Sequence, residues 1–256
     1  MMAARSRSSG GTPALAGLLS LVALLAAMEA LIRARVINPF IVPLPSQVLL
    51  AFPRIVTEED ILGRFLITAG EAAAAALLLV AIAIPLGVLL HRAQVLCTAV
   101  EGWIGAVAAA PLVLIYPLFL VIFGRNALTI VMIGFAAGLA PVILKTLEGL
   151  RATRPVLIAV SRSFRLTPAQ QFWKVLFPSA LPSIFTGLRL GLIFALINVV
   201  GVEFLINFGG LGQLINDLAE RYDLAAMYAS ICFVILVSIV FFMGLERLER
   251  WLRPMR

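Results

Sequence analysis

Six long apolar runs, separated by short polar or proline-rich connections, dominate the pattern along this chain. They cover Ala14 to Ile32, Phe65 to Leu90, Trp103 to Phe123, Ala127 to Leu144, Ile184 to Ile206 and Ala225 to Leu245. About 20 consecutive apolar residues in a helix cross the roughly 30 Å hydrocarbon layer of a bilayer. The pattern therefore predicts an all-α integral membrane protein with six transmembrane helices. Arg5 and Arg7, followed by a Leu-rich run and Ala26-Ala27-Met28-Glu29-Ala30, also fit a cleaved signal peptide. The run is long for a signal sequence, so the expectation is an uncleaved first span. The predicted organisation is a tail over 1–13, a six-span domain over 14–250 with a long connecting loop at 151–181, and a tail over 251–256.

Composition excludes a soluble domain, because 62% of the residues are hydrophobic and only 13% charged. Cys97 and Cys232 each sit in apolar surroundings and His91 is the single histidine, which disfavours a disulfide framework and a His/Cys metal site. The net charge of +7 is carried by 18 Arg and 2 Lys, and it speaks to orientation and anionic lipid rather than to nucleic acid. With both termini cytoplasmic, 13 Lys and Arg fall on the inner side and 6 on the outer, leaving Arg189 inside the fifth span. Positive loops stay inside, so this orientation is the expected one. It places Glu58, Glu59, Asp60, Asp217, Glu220 and Asp223 outside.

Two connections are too long to be turns. The outer segment Arg33 to Arg64 carries Pro39, Pro43, Pro45 and Pro53, which predicts extended chain or short helices. In the cytoplasmic segment Arg151 to Leu181, Pro155 can open a short helix with Leu157, Val160, Ser161 and Phe164 on one face. A second helix begins at Thr167-Pro168 with Gln170 completing a capping box. Its apolar face is Phe172, Val175 and Leu176, and Pro178 lies where it should stop. The segment reads as a helix-turn-helix carrying Arg162, Arg165 and Lys174. It fits an amphipathic pair on anionic lipid or a docking element for a cytoplasmic protein.

Residues Ala159 to Pro178 resemble the cytoplasmic signature loop of ABC-importer permeases, whose pattern is Glu-Ala-Ala, three residues, Gly, nine residues, Ile, one residue, Leu-Pro. Aligned on Pro178, this chain has Ala159-Val160-Ser161, then Arg162, Ser163 and Phe164, Arg165 for the glycine, Val175 for the isoleucine and Phe177 for the leucine. Collinear motifs support the match: Pro45-Ser46-Gln47-Val48, Ile84-Pro85-Leu86-Gly87, Ala110-Pro111-Leu112 through Phe123-Gly124, Leu181-Pro182-Ser183-Ile184, Thr186 to Gly191, and Gly209-Gly210-Leu211-Gly212. Their order over residues 45 to 250 is similar to the nitrate, sulfonate and taurine branch of the binding-protein-dependent permeases. The resemblance implies a type I permease subunit in the bacterial inner membrane, paired with a second copy or a second permease. It implies two cytoplasmic ATPase subunits that bind ATP and Mg and dock on the signature loop, and an extracytoplasmic binding protein that delivers a small solute such as a sulfonate, nitrate or taurine.

The sequence carries no Gly-x-x-x-x-Gly-Lys-Ser/Thr loop, so energy must come from another chain or from an ion gradient. The competing class is an ion-coupled carrier or channel, which tends to place ionisable groups near the bilayer midplane. Here Glu29, Glu71 and Glu203 fall near outer span ends, and Lys145 and Arg189 near inner ends. The remaining polar candidates are Tyr116, Asn198 and Ser238, each expected to satisfy a helix–helix hydrogen bond. A membrane-embedded enzyme would need convergent Asp, His or Cys groups, which the pattern lacks, and no cofactor is expected on the chain. Pro111 and Pro117, six residues apart in one span, predict a doubly kinked wall of the path. Arg189, Glu203 and the Gly209, Gly210, Gly212 run are candidates for a gate. Arg189 and Glu203 lie about 21 Å apart along a helix, so each requires a partner on another element.

Overall fold

The computed structural model describes residues 12–252; parts of both predicted tails, including Arg5, Arg7, Arg253 and Arg256, lie outside the described residues. Among the described residues every regular element is helical. Helix α1 (Thr12–Arg33) is followed by α2 (Pro45–Thr57), which places one long segment of the proline-rich connection in a helix despite Pro53 within it. A long rod then combines α3 (Ile61–Leu78), a π-helical turn at Leu79–Ala83 and α4 (Ile84–Arg92). Helices α5 (Gln94–Ala109) and α6 (Tyr116–Phe123) flank a single 3-10 turn. After them come α7 (Ala127–Arg151), α8 (Pro155–Ser163), α9 (Pro168–Gln171), α10 (Phe177–Ile206), α11 (Gly210–Glu220) and α12 (Leu224–Leu252).

Five helical segments are long and apolar enough to cross a bilayer, and a sixth span results if α5 and the segment Leu112–Phe123 count as one. That third span differs from the expected kinked rod: its halves meet at 91°. The break has one cause rather than two. Ala110 ends α5 in extended geometry ahead of Pro111, the conformation that a following proline imposes. Pro117 instead occupies the first turn of α6, where its missing N–H costs nothing.

The second correction concerns Pro178. It does not stop a helix; α9 continues through a π-helical turn at Phe172–Leu176 into α10, making a helical run from Pro168 to Ile206. The first long rod does the same ahead of Pro85. In both places an i→i−5 bond, Ile84 N–H to Leu79 and Phe177 N–H to Phe172, directly precedes the proline. The widened turn shifts the backbone just ahead of the proline ring, and the rod continues through a residue that otherwise breaks it.

The centre of the molecule is the packed pair α7 and α10. At their crossing a Cβ on Gly138 would stand 2.6 Å from the Gly191 carbonyl oxygen, and one on Gly191 would stand 2.9 Å from that of Gly138. Only glycine at both positions permits that backbone approach, the membrane counterpart of core packing. Ala75, Leu79 and Ala83 from the α3–α4 rod, with Val142, Ile143 and Leu147 from α7 and Leu192 and Ala195 from α10, form the main buried cluster. A second cluster joins Ala51 and Ile55 of α2 to Ile61, to Leu211, Leu214 and Leu218 of α11, and to Ala226 and Ala229 of α12. Helix α1 stands apart from both: Leu15, Leu18, Leu19 and Leu24 are all exposed.

Chain direction sorts the charges into two ends. One end, the α11 face, carries the ion pairs Arg54–Asp223, Arg64–Asp217 (3.2 Å) and Arg221–Glu59 (3.1 Å). The opposite end, the α8 face, carries Lys145–Glu148 (2.6 Å) and Arg151–Glu101 (2.9 Å), with Arg189–Glu249 (3.4 Å) toward the same end of α10 and α12.

Candidate functional site

Three places concentrate the residues singled out by the sequence. The first is the protruding α8 and the turn after it. Arg154 precedes Pro155, which sits at the helix start as expected, and Thr167 and Gln170 form the capping box of α9. Val156, Leu157, Val160 and Phe164 are exposed, Phe164 at 75%, and Arg162, Ser163 and Arg165 are exposed beside them. Ser161 instead is buried and receives a 2.9 Å hydrogen bond from Gln171 Nε2, which ties α8 to α9. Phe172 faces inward onto Leu150, Ala180 and Ile184, with the Arg92 guanidinium 4.8 Å from its ring centroid. Val175 is half-buried and Pro178 exposed. The turn itself is left-handed: Arg165 has φ +51°, and the N–H groups of Arg165 and Leu166 return to the carbonyls of Arg162 and Ser161. Arg165 thus adopts the backbone that the resembled pattern assigns to glycine, and its Cβ costs about 1–2 kcal/mol there.

The second place is a cavity of about 430 Å³ inside the 91° corner. Ala110, Pro111 and Val113 form one wall, Ala137 of α7 another, and Phe194, Asn198 and Gly201 of α10 the third. Asn198 does not make the helix–helix bond expected of it. Its amide donates to the Phe194 carbonyl of its own helix at 2.8 Å, and it lines the cavity. Ser238 likewise bonds Val234 of its own helix. Tyr116 and Pro117 lie outside this lining; Tyr116 packs on the Ile130, Val199 and Val202 cluster. A larger groove of about 820 Å³ between α3, α10 and α12 is lined almost wholly by apolar side chains and offers no convergent polar groups.

The third place brings Glu203 and the glycine run together. Gly209 and Gly210 have φ +64° and +72°, which turns the chain back so that α11 begins over Glu203. Glu203 Oε2 accepts from the Gly212 N–H at 2.8 Å and from Thr68 Oγ1 of α3 at 3.0 Å, while Thr68 Oγ1 accepts from the Leu211 N–H at 2.9 Å. Two otherwise orphaned donors of α11 are thereby satisfied, and a negative group sits at its positive end. A Cβ on Gly212 would overlap the backbone of Val200 and Phe204, so this start must be glycine. Arg189 belongs elsewhere, on Glu249 of α12. Each proposed gate residue therefore has the partner on another element that the spacing required, but the two do not share a site.

Sequence reasoning missed Thr68 and Glu249, and it placed Glu71 and Glu203 only as separate residues near span ends. No local signal joins Thr68 to Glu203, 135 positions apart. It also missed Arg125, whose guanidinium bonds the Ile206 and Asn207 carbonyls at the end of α10. An arginine beside a helix end that has Asn207 in the left-handed region is a weak signal that could have suggested it.

Comparison with known proteins agrees with this architecture. The chain is 27% identical over 228 residues to the taurine transport system permease protein TauC of Escherichia coli (strain K12), covering 86% of this chain and 82% of that protein. It is 25% identical over 196 residues to the putative aliphatic sulfonates transport permease protein SsuC of Bacillus subtilis (strain 168), covering 77% and 71%. The fold matches a chain of the MetNI methionine ABC transporter in an inward-facing conformation, with a TM-score of 0.65 at 20% identity, over 75% of this chain and 95% of that one. Residues 80–254 match the family model of the binding-protein-dependent transport system inner membrane component, and the chain belongs to that family.

Proposed function

We propose that this permease subunit serves an ATP-driven, binding-protein-dependent importer of a small sulfonate, nitrate, taurine or similar solute, and that ATP and Mg bind to two partner ATPase subunits. The observation that carries the reading is α8 and the turn after it, a short element tied to α9 by the Ser161–Gln171 bond, which presents Leu157, Val160 and Phe164 with Arg162 and Arg165. An apolar centre rimmed by cations is the composition of a docking surface. The α8 face is then cytoplasmic, both tails flanking the 14–250 domain are cytoplasmic, and α2 and α11 face an extracytoplasmic binding protein.

The cavity at Pro111 and Asn198 supplies the wall of the path, completed by a second permease copy. Its polar content is one amide and free backbone, with no charged side chain in the lining. Such a wall passes a solute without holding it, and selectivity falls to the binding protein. Reconstitution with candidate ATPase and binding protein tests the reading. Transport should require ATP and the binding protein; uptake driven by a proton gradient through the chain alone would overturn it.

A further inference from the structure

Glu71 is the feature the proposed transport role does not use. It lies on α3 one turn beyond Thr68, is 5% exposed, and among the described residues no N–H or O–H group donates to either carboxyl oxygen. Its neighbour is the side chain of Glu203, itself fully buried, whose Oε1 is also without a donor. Two neighbouring buried side chains thus hold three carboxyl oxygens without a donor. Charged groups at this end have partners of their own: Arg64 with Asp217, Arg54 with Asp223, Arg221 with Glu59, and Arg125 on backbone carbonyls. On α7 and α12, Lys145, Glu148, Arg151 and Glu249 form ion pairs toward the α8 face.

We propose that Glu71 and Glu203 form a proton-binding site, with one proton shared between them, that latches the start of α11 onto α3 and α10. Two adjacent carboxylates cannot both stay charged away from water without a counter-ion. The hydrogen bonds say where the proton belongs. Glu203 accepts from Gly212 N–H and Thr68 Oγ1 at a helix N-terminus, all of which favour its anion. Glu71 has no such donors, so it carries the proton and donates it to Glu203 Oε1. This single bond uses one orphan oxygen of each residue and ties α3 to α10 directly beneath α11. A metal cation fits less well: Thr68 Oγ1 is already engaged with Leu211 and Glu203, which leaves three carboxyl oxygens, too few for a hard cation. When the proton leaves to solvent, two like charges remain under the Gly209–Gly212 turn and push α11 away. The site is a property of this chain alone and does not depend on the ATPase or on the solute.

The test uses the purified full-length chain in a bilayer. Infrared spectroscopy near neutral pH should show a protonated-carboxyl band that is lost in Glu71→Gln and kept in Glu148→Gln, an exposed control on the α8 face. Amide exchange, corrected for the intrinsic chemical rate, should show Leu211 and Gly212 opening about tenfold more readily once the pH is high enough to discharge that band. In Glu71→Gln, whose amide can still donate to Glu203, these amides should stay protected and lose their pH dependence. Absence of the band from folded wild-type protein would overturn the proposal, and this outcome requires no variant to fold. So would a band unchanged in Glu71→Gln. Loss of the band on adding sodium at constant pH would also overturn it and would assign the site to a cation.

Discussion

Arg189 on α10 and Glu249 on α12 form an ion pair at 3.4 Å, with Glu249 only 6% exposed and also accepting from Thr186 Oγ1 at 3.3 Å. The pair ties the end of the last helix to the central α7–α10 unit near the α8 face. Removing one partner leaves the other in a partly desolvated place, which costs more than the pair itself contributes. Glu249→Ala should destabilise the chain by about 1–3 kcal/mol. The Arg189→Glu, Glu249→Arg double variant should recover part of that loss in a thermal melt. Equal melting for wild type and Glu249→Ala would show that the pair carries no structural weight.

The α7–α10 crossing makes a sharper prediction. Gly138→Val drives its side chain into the Gly191 carbonyl, and rigid backbone cannot yield there. Folded yield from the membrane should fall steeply. Gly102→Ala on α5, with open space around its Cβ, should be neutral or stabilising by about 0.5–1 kcal/mol. Size-exclusion profiles of the two variants give the comparison.

Arg165 separates strain from docking. Arg165→Gly relieves the left-handed turn and should raise stability by about 1 kcal/mol. If docking is charge-based, Arg165→Glu should weaken ATPase association and raised salt should mimic it. Equal association for all three forms would return this loop to a lipid-surface role.

Arg125 holds the last carbonyls of α10 at the α11 face. Arg125→Ala should cost about 1–2 kcal/mol, since charged donors to backbone carbonyls contribute at the upper end of hydrogen-bond energies and this one is partly solvated. Lysine, which keeps the charge but not the planar fork, should restore less than half of the loss. Amide exchange near Asn207 in the three forms checks both statements.

At Asn198 the expectation concerns transport rather than folding. Its amide bonds only its own helix, so Asn198→Leu should leave the melt within about 0.5 kcal/mol of wild type. It should reduce solute flux in the reconstituted importer, because the cavity loses its polar group. Unchanged flux would remove Asn198 from the path.

What the sequence determined by itself were the quantities that lipid imposes on a chain one segment at a time. Apolar length set the spans, arginine counts set the expected orientation, and Thr167-Pro168 with Gln170 set the start of α9, because each depends only on neighbours in the chain. The glycine of the resembled pattern and the left-handed Arg165 that replaces it at the α8 turn are the same local requirement, met here at a cost. Prolines were legible only in part: Pro111 breaks its span, yet Pro85 and Pro178 do not, and a π-helical turn directly precedes each of those two. Whether such a turn forms depends on what packs around it. The pairings that decide the site, Glu203 with Thr68 and Gly212, Glu71 beside them, and Arg189 with Glu249, belonged to tertiary structure alone. A buried charge in a bilayer must find a partner, and the sequence states that requirement. Only the folded arrangement of helices says which residue, 135 positions away, fulfils it.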